Sequence, residues 1–150
     1  MSVSVLVDTN VLVYAYDRTV PQKQKQALAA LEYLVVHDSG ALSAQVLDEF
    51  FVAVTRKIAA PLSIADAYTR LEHLLLSWTI LESSGLIVLE AARGVRDYRM
   101  HFWDAQIWAT ARLNQIACIL SEDFSTGSVI EGVRFVSPFA SDFQIFDWAS

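Results

Sequence analysis

Acidic side chains at the ends of apolar segments are the residues of this sequence best suited to chemistry. Asp8 follows the apolar segment 3–7 and precedes a second one, 11–16. An ionised carboxylate between two segments that favour burial is costly unless hydrogen bonds or a positive charge compensate it. We therefore expect Asp8 to mark a site at the carboxyl end of a β-strand, where open α/β sheets bind their ligands.

Other acids are predicted to reach the same edge. The segment Ser121-Glu122-Asp123 directly follows the apolar segment 116–120, which predicts a buried strand. Asp104 lies in the first turn of a predicted helix, whose dipole stabilises an anion. Asp48 and Glu49 interrupt the apolar face of another predicted helix, and periodicity does not choose between them. Each acid alone also fits a turn, a helix start or a solvated face, but their convergence favours a site.

Carboxylates gathered at one point cannot all stay ionised unaided, because each raises the pKa of its neighbours. A divalent cation reverses this effect, and oxygen donors select hard ions such as Mg²⁺ or Mn²⁺. The 3 histidines and the single cysteine, Cys118, lack the spacing of a zinc site. The pattern therefore favours phosphodiester hydrolysis, in which metal ions activate water and stabilise the leaving oxygen.

Other catalytic patterns fit less well. The sequence has no glycine-rich phosphate loop, no Gly-x-Ser-x-Gly and no Cys-x-x-Cys. Asp8 could act as a nucleophile, as an Asp after a first strand does in some enzymes. However, the segment 8–10 lacks the second Asp of haloacid-dehalogenase-like phosphatases, and no Lys follows the later strands as receiver domains require.

Short apolar segments alternate with longer amphipathic ones, which predicts right-handed βαβ crossovers. The expected fold is α/β, a three-layer α/β/α sandwich with a short central parallel sheet. Strands are predicted at 3–7, 41–42, 80–81, 116–120 and 133–136, and helices at 11–16, 21–37, 43–58, 63–78, 86–98 and 102–113. The predicted buried helix faces include Ala27, Leu28, Leu31, Leu34, Val35, Val46, Leu47, Phe50, Phe51, Val54, Leu71, Leu74, Leu75 and Trp78.

Composition predicts one globular domain over residues 1–150, since 54% of residues are hydrophobic and 19% are charged. The apolar runs are shorter than the ~20 residues of a membrane helix, and no basic stretch precedes the first of them, so we expect a soluble cytoplasmic protein. The net charge of −6 opposes bulk attraction to nucleic acid. Contact would need a metal or a local cluster such as Arg93, Arg96 and Arg99, which also fits a solvated helix face.

Five segments together resemble the PIN-domain ribonucleases, most closely the VapC-like toxins of bacterial type II toxin–antitoxin pairs. They occur in order across nearly the whole chain. They are Val7-Asp8-Thr9-Asn10-Val11-Leu12, Ser43-Ala44-Gln45-Val46-Leu47-Asp48-Glu49-Phe50, Phe102-Trp103-Asp104-Ala105 with Ala109 and Ala111, Leu120-Ser121-Glu122-Asp123-Phe124, and Val136-Ser137-Pro138-Phe139. Many relatives carry Asn where this chain has Ser137, and the aromatic tail 140–150 extends past the usual ending.

The resemblance implies a catalytic set and chooses Glu49 over Asp48. The family's four acids fall on Asp8, Glu49, Asp104 and Asp123, and its small hydroxyl residues fall on Thr9 and Ser121. By analogy, Asp8 and Asp104 are the principal ligands of Mg²⁺ or Mn²⁺. Glu49 and Asp123 complete the pocket, directly or through water.

The resemblance also implies an activity and partners. It indicates a metal-dependent endoribonuclease toxin that forms a homodimer and binds a small antitoxin, whose tail can place a basic side chain in the acidic pocket. Two alternatives stay open from the sequence. One is an RNA-processing PIN nuclease without an antitoxin, and the other is a PIN scaffold that binds RNA or protein without cutting it.

Overall fold

Strands and helices alternate along most of the chain, as the apolar pattern predicts. The computed structural model describes residues 3–124 and 126–149, so Ser150 of the predicted tail lies outside the described residues. The elements are β1 (Val5–Val7), α1 (Thr9–Tyr14), α2 (Pro21–Val36), β2 (Gly40–Ser43), α3 (Ala44–Arg56), α4 (Ile64–Ser77), β3 (Thr79–Leu81), α5 (Gly85–Tyr98), α6 (Phe102–Leu113), β4 (Cys118–Leu120), β5 (Val129–Ile130), β6 (Val133–Val136) and a 3₁₀ helix (Ile145–Asp147).

The central sheet positions the predicted site. Among the described residues the strands form one six-stranded sheet in the order β3-β2-β1-β4-β6-β5. Strand β1 lies parallel between β2 and β4, and its last residue, Val7, is in register with Leu120. Because the two strands end level with each other, Asp8 and Ser121 leave the sheet side by side. The predicted three-layer α/β/α sandwich is confirmed.

One strand was not predicted from the sequence. Strand β5 has two residues and pairs antiparallel with β6, so the sheet is only mostly parallel. Glu131 and Gly132 join the pair with φ angles of 47° and 82°, the positive values that a tight hairpin turn requires at both positions. A two-residue strand is too short to show a period of two, which explains the omission.

The predicted helix starts are confirmed by their caps. The Ser43 hydroxyl accepts from the Val46 amide at 3.1 Å, and the Ser63 hydroxyl accepts from the Asp66 amide at 3.1 Å. Such caps satisfy amides that have no partner within the helix. The Ser43 cap fixes where α3 begins, directly after β2.

The predicted buried faces are partly wrong. Leu28 and Val35 of α2 are 48% and 40% exposed, and Leu75 of α4 is 56% exposed. Helical period predicts a broad apolar stripe, but only the narrower part that packs into the core is covered, as at Leu34 and Leu74. The remaining apolar side chains are left on the surface of the helical layer. No helix in the described part of the chain is long and apolar enough to span a membrane.

Candidate functional site

Asp8 occupies the junction between β1 and α1. Its side chain is buried, with 8% of the residue exposed. One carboxylate oxygen, Oδ1, accepts from the Thr9 amide at 2.8 Å. The other, Oδ2, accepts from the Ser121 hydroxyl at 2.7 Å and from Asn10 Nδ2 at 3.2 Å. These contacts fix the orientation of Asp8.

Asn10 is the site residue that the sequence analysis missed. Its amide nitrogen donates to Asp8 Oδ2 at 3.2 Å and to Asp123 Oδ2 at 3.1 Å, and it lies 3.3 Å from the Ser121 hydroxyl oxygen. Its side-chain oxygen, Oδ1, accepts from the backbone amide of Glu122 at 3.0 Å. The signal was its place in the first turn of a helix that begins directly after a strand-end acid.

Ser121 connects the β4 end to both sides of the site. Its hydroxyl donates to Asp8 and accepts from the Asp123 amide at 3.1 Å. The loop that carries Asp123 is thereby held against β1. The structure thus brings Asp8, Ser121 and Asp123 together, with Asn10 between the two carboxylates.

Burial and neighbouring charge act together on the Asp8 carboxyl. Burial raises its pKa from the ordinary value of 3.8 to about 6, against the lowering effect of the hydrogen bonds from Ser121 and Thr9. The charges of Asp123 and Glu49 raise the pKa further. The site therefore holds more negative charge than its hydrogen bonds compensate.

Glu49 and Asp104 face this charge from helices α3 and α6. Burial raises the pKa of Glu49, a hydrogen bond from Gln45 lowers it, and the charges of Asp104 and Asp123 raise it. Burial also raises the pKa of Asp104, as does the charge of Asp123. Asp123 therefore acts on the other three predicted acids, and Glu49 is coupled to both Asp8 and Asp104.

Two neighbouring acids are directed elsewhere. Asp48 lines an apolar groove between α3 and α4, beside Phe51. Glu122 accepts from the Tyr14 hydroxyl at 3.0 Å and forms an ion pair with Lys23. The structure therefore separates Asp48 from Glu49 and Glu122 from Asp123.

Thr9 contributes its backbone to the site. Its amide binds Asp8, whereas its hydroxyl oxygen is buried and has no hydrogen-bond partner among the described residues. The resemblance placed a small hydroxyl here, and the contact seen is the one that any non-proline residue could make.

The arginines of α5 are engaged by acids. Arg93 pairs with Glu90 at 2.7 Å and with Glu131 at 2.8 Å, and Arg96 pairs with Asp97 at 2.7 Å. The charges of Arg93 and Arg96 are therefore compensated by nearby acids. This agrees with a solvated helix face, which the sequence analysis gave as the alternative to a nucleic-acid-binding cluster.

The chain matches the model of a known family over most of its length. A model of the PIN domain matches residues 5–125. The chain belongs to the PIN domain family. No curated protein matches the chain significantly.

Solved structures share the fold of this PIN domain. A toxin–antitoxin complex from Klebsiella pneumoniae is 23% identical, with a TM-score of 0.68 over 91% of this chain and 98% of the other. FitAB bound to an IR36 DNA fragment is 22% identical, with a TM-score of 0.69 over 93% and 98%. VapC20 of Mycobacterium tuberculosis, a toxin that cleaves the sarcin–ricin loop, is 19% identical, with a TM-score of 0.63 over 87% and 99%.

The oxygen-bearing side chains at the site of this PIN domain suit a hard cation, but they are widely spaced. Carboxylates and hydroxyls are oxygen donors, which Mg²⁺ and Mn²⁺ prefer. Among the described residues, no three Asp, Glu, His or Cys side chains are grouped so that they could hold an ion directly. Mg²⁺ usually keeps several water molecules in proteins, so the residues fit a cation that some of them reach through water.

Proposed function

We propose that this PIN domain is a Mg²⁺- or Mn²⁺-dependent endoribonuclease and the toxin of a type II toxin–antitoxin pair. The observation that carries the proposal is the convergence of four carboxylates, one of which, Asp8, is buried. Asp8, Glu49, Asp104 and Asp123 come from four separate parts of the fold. Burial raises the pKa of Asp8 to about 6, and the charges of Asp123 and Glu49 act in the same direction. A divalent cation would relieve that repulsion.

The proposed roles of the acids are those that the family resemblance implies. Asp8 and Asp104 would be the principal ligands, with Glu49 and Asp123 assisting directly or through water. Ser121 and Asn10 hold Asp8 and Asp123 in fixed orientations, so neither carboxylate has to reorganise during the reaction. A bound cation supplies an activated water and charge compensation at the phosphate.

RNA is the proposed substrate, supported by the acidic site and by the resemblance to PIN-domain ribonucleases. VapC20, which shares the fold, cleaves the sarcin–ricin loop. A net charge of −6 leaves little bulk attraction for a polyanion, so the cation would provide much of the contact to phosphate. We place this activity in the cytoplasm.

An antitoxin is the proposed protein partner. Two apolar grooves flank α4, one of about 390 Å³ that includes Leu28 and Trp78 and one of about 480 Å³ that includes Phe51 and Leu75. Apolar side chains of a partner could fill both, while a basic side chain would suit the acidic site. Structures of toxin–antitoxin complexes share the fold.

A homodimer is also proposed. Helix α5 exposes Leu86 and Leu89, which are 72% and 69% exposed. Large apolar side chains exposed together mark interaction surfaces. Light scattering of the purified protein would give its mass, and a monomer at micromolar concentration would contradict this part of the proposal.

Cleavage by purified protein tests the nuclease. We expect the native chain to cut cellular RNA in the presence of Mn²⁺, at positions mapped by sequencing the new RNA ends, and to inhibit growth. Asp8→Asn should lose both the cleavage and the growth inhibition. Undiminished cleavage by Asp8→Asn would refute the metal mechanism. If the native chain neither binds Mn²⁺ nor cleaves any cellular RNA, the results would instead indicate a PIN scaffold that does not cut RNA.

A neighbouring pair of acids supplies a matched control. Glu49→Gln should lower the cleavage rate about tenfold or more, as changes near a metal commonly do, whereas Asp48→Asn should stay within about twofold. Both variants remove one negative charge from the same turn of α3. Equal losses in the two would show that general charge, and not the site, controls the rate.

A further inference from the structure

Gln45 has a buried polar side chain, and the proposed roles of the four acids do not account for it. It lies in the first turn of α3, and 9% of it is exposed. Burying an amide is unfavourable unless its polar atoms find partners. The contacts of Gln45 therefore indicate why an amide stands there.

The amide of Gln45 joins two of the acidic elements. Its nitrogen donates to the Trp103 carbonyl oxygen at 3.0 Å, in the peptide that leads into Asp104. It also lies near enough to Glu49, one turn further along α3, to lower the pKa of that carboxyl. The same side chain thus fixes Glu49 relative to the start of α6.

The other end of the amide is unsatisfied. Gln45 Oε1 is buried and has no hydrogen-bond partner among the described residues. Exchanging the amide oxygen and nitrogen would turn an acceptor toward the Trp103 carbonyl and Glu49, both of which are acceptors. The orientation is therefore fixed, and the oxygen can accept from a donor that the described residues do not supply.

A water molecule held by a cation is such a donor. Within residues 3–124 and 126–149, no three metal-ligating side chains are grouped closely enough to bind an ion directly. Mg²⁺ usually keeps several of its water molecules in proteins, and a cation polarises these molecules into strong hydrogen-bond donors. A buried acceptor beside Glu49 and Asp104 is suited to receive one of them.

We propose that Gln45 is a positioning residue of the cation site: its amide nitrogen fixes Glu49 relative to Asp104, and its Oε1 accepts a hydrogen bond from a water of a hydrated cation. The inference rests on the proposed function and adds a residue outside the acidic set. It assigns a role to the unsatisfied oxygen, which a purely structural tie between α3 and α6 would leave unexplained.

Metal affinity tests this role without relying on cleavage. Gln45→Met keeps the length of the side chain but removes both donor and acceptor. We expect calorimetry to show Mn²⁺ binding about tenfold weaker than in the native chain, as for changes in groups that orient metal ligands. Gln45→Asn, whose amide is one methylene shorter, should weaken binding in the same direction and remains available if Gln45→Met does not fold.

A second glutamine serves as the control. Gln106 is also 9% exposed and lies two residues after Asp104, about 200° around α6 from it. Gln106→Met should leave the Mn²⁺ affinity unchanged. Native affinity in folded Gln45→Met would overturn the inference and leave the proposed function standing, whereas no Mn²⁺ binding by the native chain would overturn both.

Discussion

Hydrogen bonds fix the orientation of the Asp8 carboxyl group, but its surroundings disfavour its charged form. Three donors hold its two oxygens, yet burial and the neighbouring acids raise its pKa from 3.8 to about 6. Folding therefore favours the protonated form of Asp8. This part of the stability is present in full below the unfolded pKa and is lost as pH rises through the folded value.

Asp8→Asn should consequently stabilise the metal-free protein at pH 8. A rise from 3.8 to about 6 in the pKa corresponds to an upper bound of roughly 3 kcal/mol, at about 1.4 kcal/mol per unit. Thermal unfolding in a chelator should show Asp8→Asn melting above the native chain at pH 8, with the difference shrinking toward pH 4.

Mn²⁺ gives the complementary measurement. Added at pH 8, it should raise the melting temperature of the native chain and not that of Asp8→Asn, because only a bound ligand stabilises the folded state. A native chain that is the more stable of the two throughout, without metal, would show that the buried charge is already compensated.

Helices α5 and α6 form the most closely packed contact around the site. A methyl group added at Gly94 of α5 would lie 2.9 Å from the Trp108 ring of α6. That ring is fully buried, and its Nε1 donates to the Ile130 carbonyl oxygen at 3.0 Å. Gly94 therefore permits α6 to lie close against α5. The position of Asp104 depends on this packing, because Asp104 lies on α6 four residues before Trp108.

Gly94→Ala should destabilise the protein even though alanine favours a helix by about 1 kcal/mol. Overpacking commonly costs about 1–3 kcal/mol, and the Trp108 ring has no room to move, so we expect a net loss of about 1–2 kcal/mol. Gly85→Ala is the control, since nothing lies within 4 Å of an added methyl group there. Urea unfolding that finds the two variants equal would contradict this account.

At the scale of the molecule, the described part of the chain has an acidic site at the strand ends and apolar grooves on the helical layer. Leu75 lines one groove, whereas its neighbour Leu76 lines neither and is 86% exposed. A partner that covers the grooves would discriminate between these two leucines. The packed tail, with Phe143 and Trp148 against the core, leaves the grooves uncovered.

Leu75→Asp should therefore weaken binding of the proposed antitoxin by about tenfold or more, as loss of a buried apolar anchor does. Leu76→Asp should bind nearly as the native chain does. Both variants should cut RNA at the native rate when alone. Surface-immobilised binding would measure the affinities, and equal weakening by both would remove the groove from the proposed interface.

The alternation of strands and helices could be predicted from the amino-acid sequence alone, as could the placement of Asp8 and Asp123 at one edge of the sheet. Parallel strands that end level with each other bring their next residues to the same place, so an acid after each strand is informative. The sequence also placed Asp104 in the first turn of α6. The residues alone left Asp48 and Glu49 open, and the family resemblance chose Glu49.

The rotation of each helix about its axis depends on tertiary packing, which the sequence pattern does not contain. Helical period gives the width of an apolar stripe but not the part that packs into the core, so Leu28 and Leu75 were expected to be buried and are exposed. The same rotation places Glu49 toward the acids and Asp48 toward a groove. The bridge made by Asn10 joins residues over 100 positions apart, and no local pattern contains such a contact.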